Sequence, residues 1–160
     1  MAFGVLLAIV FILTHVANEA IVSALPYPWG LISLTTVVGC YVAYRTQALY
    51  AAVYLGMAAF VQITSLHILG SFPYLGAALA VYLTATFVFA KRSLIAYIGI
   101  AAAGCLTQAL VASMLEPSYS GVSQLLLRFI LTFFIAITFG IAMDALLRRF
   151  GRSFMTRGQL

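Results

Sequence analysis

A carboxylate lies inside the first long apolar run of the chain, in the segment THVANEA at residues 14–20. Glu19 directly follows Asn18 and lies four residues after His15. An ionisable side chain within a membrane helix costs about 2.5–3.5 kcal/mol on insertion scales unless it finds a partner. Glu19 is therefore the first candidate for a functional residue, and it predicts a polar partner elsewhere in the chain.

Three further polar residues reach a similar depth when positions are counted along the apolar segments. Glu19 lies about 9 Å below the outer end of its segment, at 1.5 Å per residue. Arg128 has a similar depth in the last segment, which runs in the opposite direction, and it is the expected counter-charge of Glu19. Polar side chains in lipid turn inward and pair with one another. We therefore expect one polar layer in the outer leaflet, formed by Asn18, Glu19, Gln62, Gln108 and Arg128.

Three interpretations of this polar layer remain open. In the first, Glu19 and Arg128 form a structural ion pair and the two glutamines hold helices together, because buried charges are usually paired. In the second, the layer is a pocket for a polar small molecule that enters from outside. In the third, it is a docking face for a transmembrane helix of another protein.

The other reactive residue types do not form a catalytic or metal-binding pattern. The sequence has no nucleophile–base set, no glycine-rich phosphate loop and no paired carboxylates. His15 and His67 differ in predicted depth by about 9 Å, which argues against a shared haem or metal. Cys40 and Cys105 lie in apolar surroundings, where cysteine behaves as a small hydrophobic residue. We expect a protein without enzymatic activity, cofactor or metal.

The elements that position these residues are apolar segments typical of an all-α, polytopic membrane protein. Of the 160 residues, 65% are hydrophobic and 7% are charged, whereas soluble domains carry about 25% charged residues. Short polar breaks separate six segments, which predict a compact bundle of six transmembrane helices at residues 1–149 and a basic cytoplasmic tail at residues 150–160. The predicted spans are Ala2–Leu25, Trp29–Tyr44, Ala48–Leu69, a fourth from the turn Gly70–Pro73 to about Ala90, Leu94–Leu115 and about Ser123–Leu147.

Basic residues predict the orientation of the bundle. Arg45, Lys91, Arg92 and the C-terminal arginines fall on one side of a six-span bundle, and the opposite loops contain no Lys or Arg. The positive-inside rule then places both termini in the cytoplasm. Asp144 precedes Arg148 by four residues, a spacing that favours a local ion pair. The predicted anchors against anionic lipid, rather than nucleic acid, are Arg148, Arg149 and Arg152.

Small residues at four-residue spacing predict where helix backbones approach closely. The clearest case is the double repeat Ala48-xxx-Ala52-xxx-Gly56 in the third span. We expect this stripe to form a packing face within the bundle, and the number of copies in the assembly stays open.

Several features recur together along the chain. After Glu19, the motif Pro-x-x-Leu-Ile opens the second span at Pro28–Ile32, and a short turn follows at residues 45–47. The segment Ala51–Leu83 carries Gln62, Ser65 and Leu75-Gly76, and the last span begins Leu127-Arg128-Phe129. This pattern resembles the MreD family of rod-shape-determining bacterial membrane proteins, whose members commonly carry an acidic residue where this chain has Gln62.

The resemblance to MreD implies a non-enzymatic scaffold subunit of the bacterial cell-elongation machinery. Its expected location is the bacterial inner membrane, and its expected partner is the single-span protein MreC, close to the peptidoglycan synthases. The chain is also similar to the substrate-binding S components of energy-coupling-factor vitamin transporters, which have six spans, cytoplasmic termini and a ligand pocket in the outer half. Their outer loops are usually longer than those of this chain, which ranks the transporter second.

Overall fold

The computed structural model describes residues 2–22, 24–88, 93–115 and 121–157, with side chains described between residues 4 and 149 of these ranges. Every regular element in the described residues is a helix, which confirms the all-α prediction. The residues that the structure describes form six α-helices, α1 Ala2–Ala17, α2 Leu34–Arg45, α3 Ala48–Thr64, α4 Ile68–Leu83, α5 Leu94–Leu115 and α6 Val122–Arg157. Helix α1 continues as a π-helical turn over Asn18–Val22, α4 continues as one over Thr84–Val88, and a 3₁₀ turn covers Trp29–Leu31.

Four helical segments within the described residues are long and apolar enough to cross a membrane, which supports a membrane protein. They are Gly4–Val22, Ile68–Val88, Leu94–Leu115 and Val122–Arg149. Helix α5 has the predicted bounds. It begins at Leu94 because Ser93 accepts a hydrogen bond from the backbone N–H of Ala96 and so caps the first turn. Helix α6 is longer than predicted: its backbone passes through the expected tail boundary to Arg157, and the side chains from residue 150 onwards lie outside the described residues.

The second helix is shorter than the predicted span Trp29–Tyr44. Helix α2 has 12 residues, which corresponds to a length of about 18 Å, against about 30 Å for a bilayer core. The chain reaches it through the 3₁₀ turn, and Ser33 begins the helix by accepting a hydrogen bond from Thr36 N–H. Helix α2 packs against all five other helices, so it lies at the centre of the bundle.

The turn between α3 and α4 lies earlier than predicted. We expected it at Gly70–Pro73, but the chain reverses at residues 65–67 and Pro73 lies inside α4. The hydroxyls of Thr64 and Ser65 both donate to the carbonyl of Val61, which satisfies an acceptor at the end of α3. Leu66 then adopts a positive φ of 63°, so the helix cannot continue through it.

The packing face of α3 also differs from the prediction. Its buried residues include Ala51, Leu55 and Ala58, whereas a Cβ added at Gly56 would meet no atom within 4 Å. Close packing occurs instead at Gly39 of α2, where an added Cβ would lie 2.8 Å from Leu55. Ala48, Ala52 and Gly56 are only half-buried, because the larger Leu55 and Tyr54 fill the centre of the bundle.

Helix α5 meets α2 and α4 at a second glycine. An added Cβ at Gly104 would lie 2.7 Å from Val81 and 2.8 Å from the Cys40 sulfur. Cys40 and Cys105 are both fully buried in this region, as expected for small hydrophobic residues. The junction of these three helices forms the middle of the core.

Candidate functional site

The predicted polar layer lies at one end of the bundle, where α1, α3 and α5 end and α2, α4 and α6 begin. These ends meet because consecutive helices run in opposite directions through short connections. A cavity of about 200 Å³ opens there. Four of the five predicted residues line it, namely Asn18, Gln62, Gln108 and Arg128, together with Ser33 and Tyr74.

Asn18 lies at the start of the π-helical turn and joins two helices. Its Oδ1 accepts a hydrogen bond from the backbone N–H of Leu34, at 3.0 Å. The first N–H groups of an α-helix have no partner within the helix, so Asn18 and Ser33 together supply acceptors for the first turn of α2. Asn18 therefore has a structural role in the cavity wall that the depth count does not reveal.

Glu19 is exposed and its side chain is not part of the cavity lining. The Asn18 amide donates to Glu19 Oε1 at 3.4 Å, a long hydrogen bond. Asn18, the neighbour of Glu19 in the chain, lines the cavity together with Arg128. The two charges thus occupy the same end of the bundle, and their direct pairing stays a prediction.

Gln62 lies two residues before the end of α3 and crosses to the first turn of α4. A Cβ added at Gly70 would lie 3.2 Å from Gln62 Oε1, so the glycine makes room for the glutamine side chain. The Gln62 backbone carbonyl accepts a hydrogen bond from His67 N–H at 3.0 Å, which closes the turn. Gln62 therefore borders the cavity at the point where α3 and α4 are joined.

Gln108 is the most buried of the predicted polar residues, with 7% of its surface exposed. Its Oε1 has no hydrogen-bond partner among the described residues. Buried polar atoms in proteins are usually hydrogen-bonded, to protein or to ordered water. Since Gln108 lines the cavity, a donor that enters the cavity would supply the missing bond.

Neither histidine is among the residues that line the cavity in the described part of the chain. His15 stacks on Phe11 with a centroid distance of 5.5 Å, and His67 precedes the first residue of α4. Within the described ranges, no three His, Cys, Asp or Glu side chains are grouped in a way that could hold a metal ion. The polar cavity thus presents amides, hydroxyls and one guanidinium as its chemical groups.

A second polar cluster surrounds Asp144 near the other end of the bundle, and the predicted local pair with Arg148 is wrong. Tyr41 and Tyr44 donate hydrogen bonds to its two carboxylate oxygens, at 3.0 and 3.3 Å. Its ion pair is with Arg45 on α2, where Nε lies 3.7 Å from Oδ1. Tyr41, Tyr44 and Arg45 form the pattern Tyr-x-x-Tyr-Arg, which brings two hydroxyls and a guanidinium together on α2. This pattern is the sequence signal that could have indicated Asp144 as their acidic partner.

The predicted membrane-surface arginines lie on this same side. Arg148 and Arg149 are exposed at the end of the apolar part of α6. The side chain of Arg152 and the residues Lys91 and Arg92 lie outside the described residues. Arg45, Arg148 and Arg149 are thus three basic side chains at the end opposite the polar cavity.

Sequence and structure comparisons return no relative of the chain. It matches no protein-family model, no curated protein and no solved structure.

Proposed function

We propose that the chain is a non-enzymatic scaffold subunit of the bacterial cell-elongation machinery, similar to MreD, which binds a single-span MreC-like protein. The observation that carries this proposal is the small polar cavity at one end of a bundle with short connections. Its volume of about 200 Å³ is below the range of about 300–1,000 Å³ that is typical of small-molecule pockets. A cavity of this size suits one polar side chain or a short backbone segment of a partner.

The distribution of charge supports the orientation in this proposal. Arg45, Arg148 and Arg149 lie at one end of the bundle, whereas Arg128 is the one basic residue among the described residues that line the opposite cavity. By the positive-inside rule, this distribution supports cytoplasmic termini and a cavity on the outer side of the plasma membrane. A single-span partner would present the segment just outside its own span at the level of this cavity.

Four helical segments in the described part of the chain are long enough to cross the membrane on their own. The central position of α2 in the bundle supports the proposal that all six helices lie within the membrane. Helix α2 is surrounded by the other helices and α3 has 17 apolar-rich residues. Helices that are short or irregular are tolerated at membrane depth when protein surrounds them. Six embedded helices with cytoplasmic termini also agree with the alternation of helix direction in the bundle.

Site-specific cross-linking tests the proposed partner. The chain carrying Leu31→Cys, at the cavity wall, is co-expressed with a single-span protein that has a periplasmic coiled coil and cysteines just outside its span. We expect a cross-linked heterodimer. The matched control is Leu94→Cys near the opposite end of the bundle, which we expect to stay uncross-linked. Equal cross-linking at both positions, or at neither, would contradict docking at the cavity.

A second candidate function is the S component of an energy-coupling-factor vitamin transporter. The observation that favours it is the unpartnered Oε1 of buried Gln108 in the cavity lining, because ligand pockets use a few well-placed polar groups. Native mass spectrometry of the purified chain distinguishes the two functions. A bound small molecule that is lost in Gln108→Leu, together with co-purified ATPase subunits, would favour the transporter over the scaffold.

A further inference from the structure

The larger cavity of about 450 Å³ lies near the end of the bundle opposite the proposed docking cavity. Its polar lining comes from Tyr44, Tyr97, Asp144 and Arg148, and its apolar lining includes Leu94 and Ile141. This volume falls within the range of about 300–1,000 Å³ that small-molecule pockets occupy. The scaffold proposal makes no use of this cavity.

Asp144 supplies a carboxylate that retains capacity to accept hydrogen bonds. It is 18% exposed and accepts one hydrogen bond on each oxygen, from Tyr41 and Tyr44. The Arg45 Nε lies 3.7 Å away, which is beyond the roughly 2.7–2.9 Å of a charge-assisted hydrogen bond. Since an ionised carboxylate offers about four lone-pair sites, Asp144 can accept further donors from a cationic group in the cavity.

Aromatic rings lie beside this carboxylate. Tyr44 and Tyr97 both line the cavity, and their ring centroids are 5.1 Å apart. Tyr97 is held in place by donating a hydrogen bond to the carbonyl of Ala136. Tyr97 is 1% exposed, so the half-buried Tyr44 is the ring that a group in the cavity can approach. A cation near a tyrosine ring is attracted by the ring quadrupole, so this ring and the carboxylate both favour a positive group.

Arg148 adds a positive charge to the cavity, one helical turn after Asp144 on α6. It is exposed and lines the same cavity, and the described side chains form no ion pair between it and Asp144. Residues four apart on a helix have Cβ atoms about 5–6 Å apart. The cavity therefore presents a negative and a positive group side by side, which complements a zwitterion whose two charges are separated by a short bridge.

The level of the cavity along the helices corresponds to the membrane surface. Leu94 is the first residue of α5, and the apolar part of α6 ends at Arg149. Ile141 lies seven residues before Arg148 on α6 and so offers apolar surface deeper in the bundle, whereas Leu94 and Arg148 lie near its end. A molecule with a zwitterionic head and an apolar tail would match both parts.

We propose that this cavity binds the headgroup of a phospholipid with a primary ammonium, of the phosphatidylethanolamine type. The ammonium lies against Asp144 and the ring of Tyr44, and the phosphate lies against Arg148. Three N–H donors distinguish this headgroup from phosphatidylcholine, whose quaternary ammonium cannot donate. Phosphatidylglycerol has no cation for Asp144.

Native mass spectrometry of the full chain in detergent, titrated with each of the three lipids, tests the proposal. We expect phosphatidylethanolamine to bind more tightly than phosphatidylcholine or phosphatidylglycerol. Asp144→Asn and Arg148→Gln should each weaken its binding roughly tenfold or more, because each removes one charge-assisted contact. The matched control Arg149→Gln changes an exposed arginine outside the cavity lining and should bind as the native chain does.

A second pair of variants tests the space and leaves the charges in place. Ala145→Phe fills the cavity from an exposed position, whereas Ala142→Phe is an exposed change on the same helix outside the lining. We expect loss of phosphatidylethanolamine binding in the first and retention in the second. Equal binding in all variants, or tighter binding of phosphatidylglycerol than of phosphatidylethanolamine, would overturn the proposal, even where Asp144→Asn fails to fold.

Discussion

Asn18 of the first helix accepts a hydrogen bond from the backbone N–H of Leu34, sixteen residues later, through its Oδ1 at 3.0 Å. This bond joins the π-helical end of α1 to the first turn of the central helix α2. A polar residue that interrupts the first apolar run thus stabilises the start of the most enclosed helix of the bundle.

We expect Asn18→Ala to destabilise the fold by about 1 kcal/mol, the usual cost of losing a helix cap. The free energy of unfolding in detergent measures the effect, and the fluorescence of Trp29, the single tryptophan, reports on the adjacent turn. Ile21→Ala is the control, because Ile21 is exposed in the same π-helical turn. A larger loss of stability in the control than in Asn18→Ala would contradict the capping role.

The predicted pairing of Glu19 with Arg128 has a direct test in a double-mutant cycle. We expect Glu19→Ala and Arg128→Ala to be non-additive by about 1 kcal/mol or more, as for residues that share an ion pair. The physical reason is that, if the two residues pair, each single change removes the counter-charge of the other. Additivity of the two unfolding free energies would refute the pairing.

Two glycines should respond to alanine in opposite ways. At Gly140 of α6 an added Cβ would collide with the ring of Tyr97, whereas at Gly56 of α3 it would meet nothing within 4 Å. We expect Gly140→Ala to destabilise the fold by about 1–3 kcal/mol through overpacking. Gly56→Ala should be neutral or stabilising by up to about 1 kcal/mol, from its higher helix propensity. Thermal unfolding of both variants in the same detergent provides the measurement.

Asp144 depends on α2 and not on its helical neighbour Arg148. We expect Tyr41→Phe to lower the unfolding free energy by about 1.5–3 kcal/mol, the range for a hydrogen bond to a charged group. Arg148→Ala, measured without added lipid, should change it by less than about 0.5 kcal/mol, as for other surface substitutions. Denaturant unfolding of both variants measures the two losses of stability. A larger loss in Arg148→Ala than in Tyr41→Phe would instead favour the local ion pair between Asp144 and Arg148.

Leu66 holds the α3–α4 turn in a conformation that favours glycine. Its φ is 63° and its side chain is 87% exposed, so replacement removes backbone strain and few contacts. We expect Leu66→Gly to stabilise the fold by about 0.5–1 kcal/mol, since the left-handed region costs about 1–2 kcal/mol for other residues and glycine adds entropy to the unfolded chain. Leu69→Gly, an exposed change inside α4, should destabilise it instead.

Much of the helical layout follows from the sequence. The bounds of α5 agree with the prediction, and Asn18, Gln62, Gln108 and Arg128 line one cavity as the depth count indicates. Depth is predictable because short connections force alternating helix directions and each residue adds a fixed rise. The direction of a helix and the depth of a residue within it therefore depend only on position along the chain.

The side-chain partners could not be predicted in the same way. Asp144 has a suitable partner four residues away, yet it bonds to Tyr41 across a separation of 103 residues. The stripe at Ala48, Ala52 and Gly56 has the spacing of a packing face, yet Ala51 and Leu55 are the buried residues. Both outcomes depend on the rotation of each helix about its axis, which results from packing in the whole core.

The sequence by itself therefore determined an all-helical chain with six α-helices in its described residues, and the end of the bundle at which Asn18, Gln62, Gln108 and Arg128 lie. Hydrophobic length and the position of each residue along its segment carry that information locally. Only the tertiary structure decided that α2 is a short central helix capped by Asn18, that Gln108 faces a cavity, and that Asp144 borders a second one. These relationships join residues from different helices, and they arise because close packing selects one rotation for each helix.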